Sequence, residues 1–305
     1  MEFVYDLNIS AADVNTSHGQ ILDMVGFHKS VLEVGCATGY TTKILVEHGC
    51  IVSGIELNAT AAKMAEKHAR RVVVGDLNDP QIWDEFANEK FDVITFGDVL
   101  EHLTDPLAVL RSSVKHLDPS GMIIISIPNI AHIDMRISLM NGKFDYNDWG
   151  LLDRTHLRFF TRKSVISLVR EAGLVPIELR RIIVPPFCSE LPVAREDVDD
   201  RLLGEMLQDP DAETLQFIVR AVPDDANHHV WKMAERLDKL ETQLYESKMQ
   251  IMRFHDLEYA FNSQSQQLER VQKELTATYQ TKIMRAMRLP RTVWGYIRRA
   301  RGALR

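Results

Sequence analysis

The sequence predicts a doubly wound α/β fold: one mostly parallel sheet of seven strands, with helices on both faces, followed by a long helix and a basic amphipathic tail. Three observations predict it. Apolar strand-like runs alternate with helix-forming runs between residues 30 and 223, and such alternation implies right-handed crossovers and a parallel sheet. The first of these runs, SVLEVGCATGYTTKIL (30–45), stops on an acid and passes through two glycines into a helical segment. After residue 223 the composition changes: glycine is absent until Gly295, and Pro290 is the one proline that remains.

Residues 31–35 (VLEVG) read as a short buried strand ended by glycine, and 41–48 as a helix. CIVSGIELN (50–58) is a second strand, and ATAAKMAEKHAR (59–70) a helix rich in strong helix formers. VVVGDLND (72–79) and FDVITFGD (91–98) give the third and fourth strands, with a helix over 106–116. GMIIISIPN (121–129) is the fifth strand, stopped by Pro128. TRKSVISLVREAGL (161–174) has a hydroxyl start and a glycine stop, the marks of a helix. VPIELRRIIVP (175–185) and LQFIVRAVP (215–223) complete the seven, with a helical insert near 195–208.

The expected organisation is a domain over 1–225, a coiled-coil helix over 226–281 and a tail over 282–305. Val230, Met233, Leu237, Leu240, Leu244, Ile251, Phe254, Phe261, Leu268 and Leu275 keep heptad spacing. The seam weakens after Phe254, where Glu258, Ser265 and Gln272 take core positions. A homo-oligomer through this helix is the expectation; the alternative is one helix packed back on its own domain. The chain carries −7, and Lys282–Arg305 holds eight basic residues and no acid, so residues 1–281 carry −15. An acidic body argues against duplex nucleic acid as partner. Val293, Trp294, Ile297, Ala300 and Leu304 can share a face of a tail helix, as on an anionic membrane surface; a frayed terminus is the alternative.

Three cysteines, Cys36, Cys50 and Cys188, lack metal-site spacing, which points to reduced thiols in a cytoplasmic protein and away from a zinc site. The start MEFVYDLNIS has no signal-peptide pattern, and no apolar run approaches the roughly 20 residues of a spanning helix.

In an open α/β sheet the ligand lies beyond the strands' C-terminal ends. The turn after Glu33 sits at that edge, where Gly35 and Gly39 permit unusual backbone angles and leave no Cβ in a ligand's way. The pattern is E-x-G-x-x-x-G, not the G-x-G-x-x-G that cradles pyrophosphate, and Glu33 suits a positive centre better than a phosphate. VLEVGCATG resembles motif I of the Rossmann-like, seven-stranded, class I S-adenosylmethionine-dependent methyltransferases. The resemblance implies that the cofactor's amino-acid part lies over Gly35, Cys36, Ala37 and Gly39, where Ala37 replaces the middle glycine often seen. It implies that Glu56, beside Leu57 and about 20 residues on, holds the ribose hydroxyls. It puts Asp76 and Leu77 at the adenine, and Gly97 and Asp98 beneath the sulfonium.

Methyl transfer to oxygen needs in-line approach and removal of a proton. GDVLEHL (97–103) resembles the ubiquinone-biosynthesis O-methyltransferases, which implies a metal, such as Mg2+, on Asp98, Glu101 and His102; the alternative is that Asp98 caps a helix. SIPNIAHIDMR supplies Asn129, His132 and Arg136, and GLLDRTHLRFFT supplies Asp153, Arg154, His156 and Arg158, both after the fifth strand. His156 is the first choice of general base and His132 the second. Asn129, Arg136, Arg154 and Arg158 are the expected substrate-binding set, with arginines suited to phosphate or carboxylate. These two segments together resemble methyltransferases of polysaccharide and glycan assembly. The expected activity is O-methylation of a sugar or glycan intermediate at the inner membrane face. A small phenolic quinone precursor is one alternative acceptor, and a coiled-coil scaffold with an idle methyltransferase domain is another reading.

Overall fold

A computed structural model describes residues 15–224 and, beyond them, positions 236, 240, 243–245, 247–248, 264–265, 267–277 and 295. The chain divides into two compact units, residues 1–243 and 244–305.

The first unit is built on seven strands in the order β3-β2-β1-β4-β5-β7-β6. They are β1 (Ser30–Val34), β2 (Ile51–Glu56), β3 (Arg71–Val74), β4 (Phe91–Gly97), β5 (Leu117–Pro128), β6 (Leu174–Ile183) and β7 (Thr214–Pro223). β1 to β5 run parallel, and β7 is antiparallel to both β5 and β6. β1 pairs with β2 on one side and β4 on the other, so strand order reverses there and a crevice opens at its C-terminal tip. Val31, Leu32, Val93, Ile94, Phe96, Ile123, Ile124 and Ile125 have essentially no exposed surface. Consecutive burial, rather than alternation, shows both sheet faces covered.

The helices are α1 (Ser17–Val25), α2 (Tyr40–Glu47), α3 (Ala59–Ala65), α4 (Pro106–Val114), α5 (Ile133–Met140), α6 (Arg162–Glu171) and α7 (Asp200–Met206). Their starts follow side-chain chemistry. Asn58 caps α3, Asp105 caps α4 ahead of Pro106, and Thr161 and Ser164 cap α6 reciprocally.

Several expectations need correction. α1 and α5, and the 3-10 helix Pro80–Phe86, were not expected. α1 follows a cap at Thr16, and α5 a cap at His132, a residue type that seldom announces a helix. β5 begins at Leu117, before the Pro-Ser-Gly that reads as a turn, and its pairing with β4 shifts register between Phe91 and Val93 to accommodate it. α3 ends at Ala65 and β3 at Val74, both earlier than their composition suggests.

In the second unit, residues 267–277 are helical, with Leu268, Val271 and Leu275 exposed. Most of the heptad seam, and the basic tail except Gly295, lie outside the described residues. Among the described residues no helix is long and apolar enough to cross a membrane.

Candidate active site

The turn after β1 takes left-handed backbone at Gly35 (φ +73°), Ala37 (φ +46°) and Gly39 (φ +83°). Its glycines answer to the protein as well as to any ligand. A Cβ on Gly35 would come 2.5 Å from Cγ2 of Val99, and one on Gly39 would come 2.6 Å from the Cα of Ala65. The space expected to admit a ligand at those Cβ positions is filled by the protein itself. Cys36, between them, is buried, and burial pushes its thiol up, away from ionisation.

Glu33 stands at the foot of this turn, 7% exposed. The Thr42 hydroxyl donates to its Oε2 at 2.5 Å. Burial raises its carboxyl from the usual 4.5 to about 7; the Thr42 hydrogen bond opposes that rise, and the charge of Glu56 adds to it. Glu56 at the end of β2 accepts N–H bonds from Ala37 at 2.9 Å and Asn58 at 2.8 Å, one on each oxygen. A carboxylate oxygen has further lone pairs, so both remain able to accept. Asp76 accepts from the backbone and side-chain N–H of Asn78, each at 2.9 Å. Asn78 in turn accepts from the N–H and hydroxyl of Thr104. Leu77 packs on the edge of the main core, whereas Leu57 is exposed.

Asp98 closes the crevice with left-handed backbone of its own (φ +54°). Its Oδ1 accepts from the Ser126 hydroxyl at 2.6 Å and from Nε2 of Gln216 at 3.0 Å. His18 of α1 shares a 2.9 Å hydrogen bond with the Tyr40 hydroxyl. Burial holds His18 below the usual imidazole range, and the Asp98 charge only partly offsets it. His18, Tyr40, Ser126 and Gln216 thus gather around the strand tips. They come from α1, α2, β5 and β7, and no local motif links them.

The metal set implied by resemblance assembles differently. Glu101 and His102 lie with His156, one potential ligand atom of each within 4.8 Å of the others, while Asp98 accepts from Ser126 and Gln216 on Oδ1 and its charge still reaches Glu101 and His156. The backbone carbonyl of Glu101 accepts from Leu157 (2.8 Å) and Arg158 (3.0 Å), which fixes the His156 loop against the 3-10 turn Leu100–His102. The His102 and His156 rings meet edge to face with centroids 4.8 Å apart. Burial first, then neighbouring His102, holds His156 below the usual imidazole range, so it is neutral near pH 7.

The other rim candidates have structural work. His132 has no exposed surface; its Nδ1 accepts from Asp134 N–H, and Nε2 faces the Val184 carbonyl at 2.9 Å. With both ring nitrogens engaged it serves as the cap of α5, which corrects the expectation of a base. Asn129 is equally buried and joins Thr214 to Ala131. Arg136 binds the Ala131 carbonyl and Asp209. Arg154 pairs with Asp148, and Arg158 donates to the Thr104 carbonyl, both on the exposed rim.

The family model described as "Methyltransferase domain" matches residues 22–179, more than half of the chain. The chain belongs to the methyltransferase domain family. The methyltransferase is 23% identical over 171 residues to a "Ubiquinone biosynthesis O-methyltransferase" of Coxiella burnetii (strain RSA 331 / Henzerling II), covering 55% of this chain and 73% of that one. It is 36% identical over 110 residues to the protein of the same description from Actinobacillus pleuropneumoniae serotype 5b (strain L20), covering 34% and 47%. Among solved structures, a SAM dependent methyltransferase from Archaeoglobus fulgidus superposes with a TM-score of 0.51 at 17% identity, over 70% of this chain and 94% of that one. That likeness concerns the fold, and the fold is the seven-stranded, Rossmann-like one expected of the methyltransferase.

Proposed function

We propose that this methyltransferase takes its methyl group from S-adenosylmethionine and delivers it to a hydroxyl of a sugar or glycan intermediate. Glu33, Gly35, Cys36, Ala37, Gly39, Glu56, Leu57, Asp76, Leu77, Gly97 and Asp98 form the donor site. The donor set suits the molecule chemically. Glu33 is a buried carboxylate whose ionisation is penalised in the absence of a cation, so an ammonium or sulfonium nearby relieves it. Glu56 keeps lone pairs for two adjacent hydroxyls. When bound, S-adenosylmethionine supplies a methyl group on positively charged sulfur, the electrophile of the transfer. The protein's share is to orient the acceptor and remove its proton. His156 turns Nδ1 toward the Leu151 carbonyl at 3.3 Å, which leaves Nε2 as a lone pair able to take that proton.

The observation that carries the acceptor class is the line of rings leading outward from this base. His156 meets Phe159 (6.4 Å between centroids), Phe159 meets Phe144 (5.9 Å), and Phe144 meets Tyr146 (5.5 Å). Tyr146 is 52% exposed and Trp149, three residues on, 62%. Aromatic faces at an open rim suit the apolar face of a sugar ring in a large acceptor that stays partly in water. Arg154 and Arg158 at the same rim suit a phosphate on it. A small phenol would instead favour a closed pocket.

A phenolic quinone precursor is the second reading, favoured by the description of the relatives as ubiquinone-biosynthesis enzymes. The test is incubation with methyl-labelled S-adenosylmethionine and, separately, lipid-linked glycan extracts and hydroxylated polyprenyl phenols. Label in the glycan fraction is expected. Label confined to the phenols would replace the first reading by the second. No label in either, with the donor bound, would leave a scaffold with an idle site.

A further inference from the structure

We propose that Glu190, on the insert between β6 and β7, is a positioning residue for His156. Its Oε1 accepts the backbone N–H of Leu151, and the carbonyl of that same Leu151 is what Nδ1 of His156 faces at 3.3 Å. One residue separates the two bonds, and its side chain is 3% exposed. Holding the Leu151 N–H therefore limits where its carbonyl can point. That carbonyl keeps the imidazole proton on Nδ1 and leaves Nε2 as the bare lone pair, because the bond made by one ring nitrogen sets the state of the other.

A second contact shows that the loop is shaped around Glu190. Gly150 takes left-handed backbone (φ +89°), and a Cβ there would come 2.5 Å from Cδ and 2.6 Å from Cγ of Glu190. The glycine lets the carboxylate lie against the backbone of the turn. Glu190 is itself held from both sides. Asp134 of α5, which has no exposed surface, accepts the N–H of Phe187 (2.7 Å) and both the N–H (3.1 Å) and hydroxyl (2.7 Å) of Ser189. Leu191 on the other side is buried in one cluster with Leu151, Leu152 and Ile133. The carboxylate thus projects from a short segment anchored to a buried acid and to a small core.

The loop that carries His156 is tied at both ends. Its far end is fixed by the Glu101 carbonyl through Leu157 and Arg158, and its near end by Glu190 through Leu151. Bonds inside the loop, such as His156 N–H to the Asp153 carbonyl at 3.0 Å, fold it on itself but do not anchor it to the insert. A base must meet its proton within narrow geometric limits, and a displacement of about 1 Å can cost on the order of 100-fold in rate. The inference deepens the reading above and rests on it for the role of His156 as base; the Glu190–Leu151–His156 linkage stands on geometry alone.

The test uses full-length protein with 15N-labelled histidine and reads the ring tautomer of His156 by NMR at about pH 8, with the signal assigned by its loss in His156→Gln. The parent should show the proton on Nδ1. Glu190→Ala should lose that preference, and Glu190→Gln, whose amide oxygen can still accept from Leu151, should keep it. In assays with labelled S-adenosylmethionine, Glu190→Ala should lower kcat by about 10- to 100-fold and leave KM for the donor within about twofold, while Glu190→Gln stays within about threefold of the parent. Glu196→Ala, an exposed acid of the same insert, should change neither readout. If Glu190→Ala unfolds, Glu190→Asp, too short by one methylene to reach Leu151, is read in its place. An unmoved His156 tautomer in these variants, or a Glu190→Gln protein as impaired as Glu190→Ala, would overturn the proposal. A tautomer that moves in a protein whose parent transfers no methyl removes the base reading and keeps the linkage. Normal transfer with an unmoved tautomer removes the role of Glu190 and keeps the methyltransferase reading.

Discussion

Thr42, on the first turn of α2, donates its hydroxyl to the carboxylate of Glu33 at the tip of β1, and both side chains are buried. The pair couples donor binding to pH. In the free protein the Glu33 carboxyl sits at about 7, so near neutrality it is only partly ionised. A cationic ligand binds the ionised form, so affinity for S-adenosylhomocysteine, which carries an ammonium, should rise with pH through about 7 and then level off. Calorimetry across pH 5.5–8.5 in steps of about half a unit measures it, and a flat profile would remove Glu33 from the donor site. Stability runs the other way. The folded carboxyl is higher than the unfolded one, so its contribution is complete below the usual 4.5 and is lost as pH rises to about 7. The difference is on the order of 3 kcal/mol. Glu33→Gln should therefore be more resistant to urea than the parent at pH 8, while binding the donor at least about tenfold more weakly.

Thr42→Val keeps the side-chain shape and removes the one hydroxyl that favours the ionised carboxylate. The affinity midpoint should then move to higher pH, with donor affinity at pH 7 lowered by roughly three- to tenfold. An unshifted midpoint would mean that the hydroxyl does not set the ionisation of Glu33.

The two glycines of the turn should differ in a way that the double mutant reveals. In Gly35→Ala the new Cβ meets only the end of the Val99 side chain, whereas in Gly39→Ala it meets the backbone of Ala65. Val99→Ala in the Gly35→Ala background should recover part of the lost stability and leave about 1–2 kcal/mol of left-handed strain. Gly39→Ala has no such rescue and should cost more. Thermal denaturation reads both. Equal losses with no rescue would show that neither contact governs the turn.

The strand pattern was legible because β1, β4 and β5 are covered on both faces, and buried parallel strands appear in a sequence as unbroken apolar runs. The acids were legible by position: Glu33 is one residue from the end of β1, Glu56 ends β2, and Asp76 and Asp98 follow the ends of β3 and β4. What escaped were relationships across distance. His18 reaches Tyr40, and Gln216 reaches Asp98 across 118 positions, by pairing of elements that no local spacing encodes. The histidines show the opposite failing. His132 and His156 look alike in the sequence, each in a loop after β5, yet one is closed on both nitrogens and the other keeps one open. Residue type announces capacity; only packing decides which hydrogen bonds are already taken.

That contrast predicts two different phenotypes. His132→Ala removes a helix cap and a fully buried side chain, and should lower stability by about 2–4 kcal/mol. Below its melting temperature the variant should retain donor binding. His156→Gln should melt close to the parent but lose methyl transfer by about 100-fold or more. Because burial and His102 hold His156 below the usual imidazole range, any acid limb it imposes on kcat should fall below pH ~6.5. Stopped assays with labelled donor, paired with melting curves, separate the two. A His132→Ala protein that folds normally yet fails in turnover would reverse the assignment.

The rim makes the last distinction. Trp149 and Tyr146 lie in the exposed segment that follows α5 and share no hydrogen bond or ion pair with Glu33, Glu56 or Asp98. If they form the platform for a large acceptor, removing either face lowers ground-state and transition-state binding together. Trp149→Ala and Tyr146→Ala should then raise KM for the glycan acceptor by about five- to thirtyfold, leave kcat within about twofold, and leave donor affinity unchanged. A closed site for a small phenol would give the reverse: truncations at so open a rim would not move KM. The measurement is a pair of saturation curves, one varying the acceptor fraction that takes up label and one varying S-adenosylmethionine. An unchanged acceptor KM in both variants would move the acceptor away from the aromatic rim and toward the second reading.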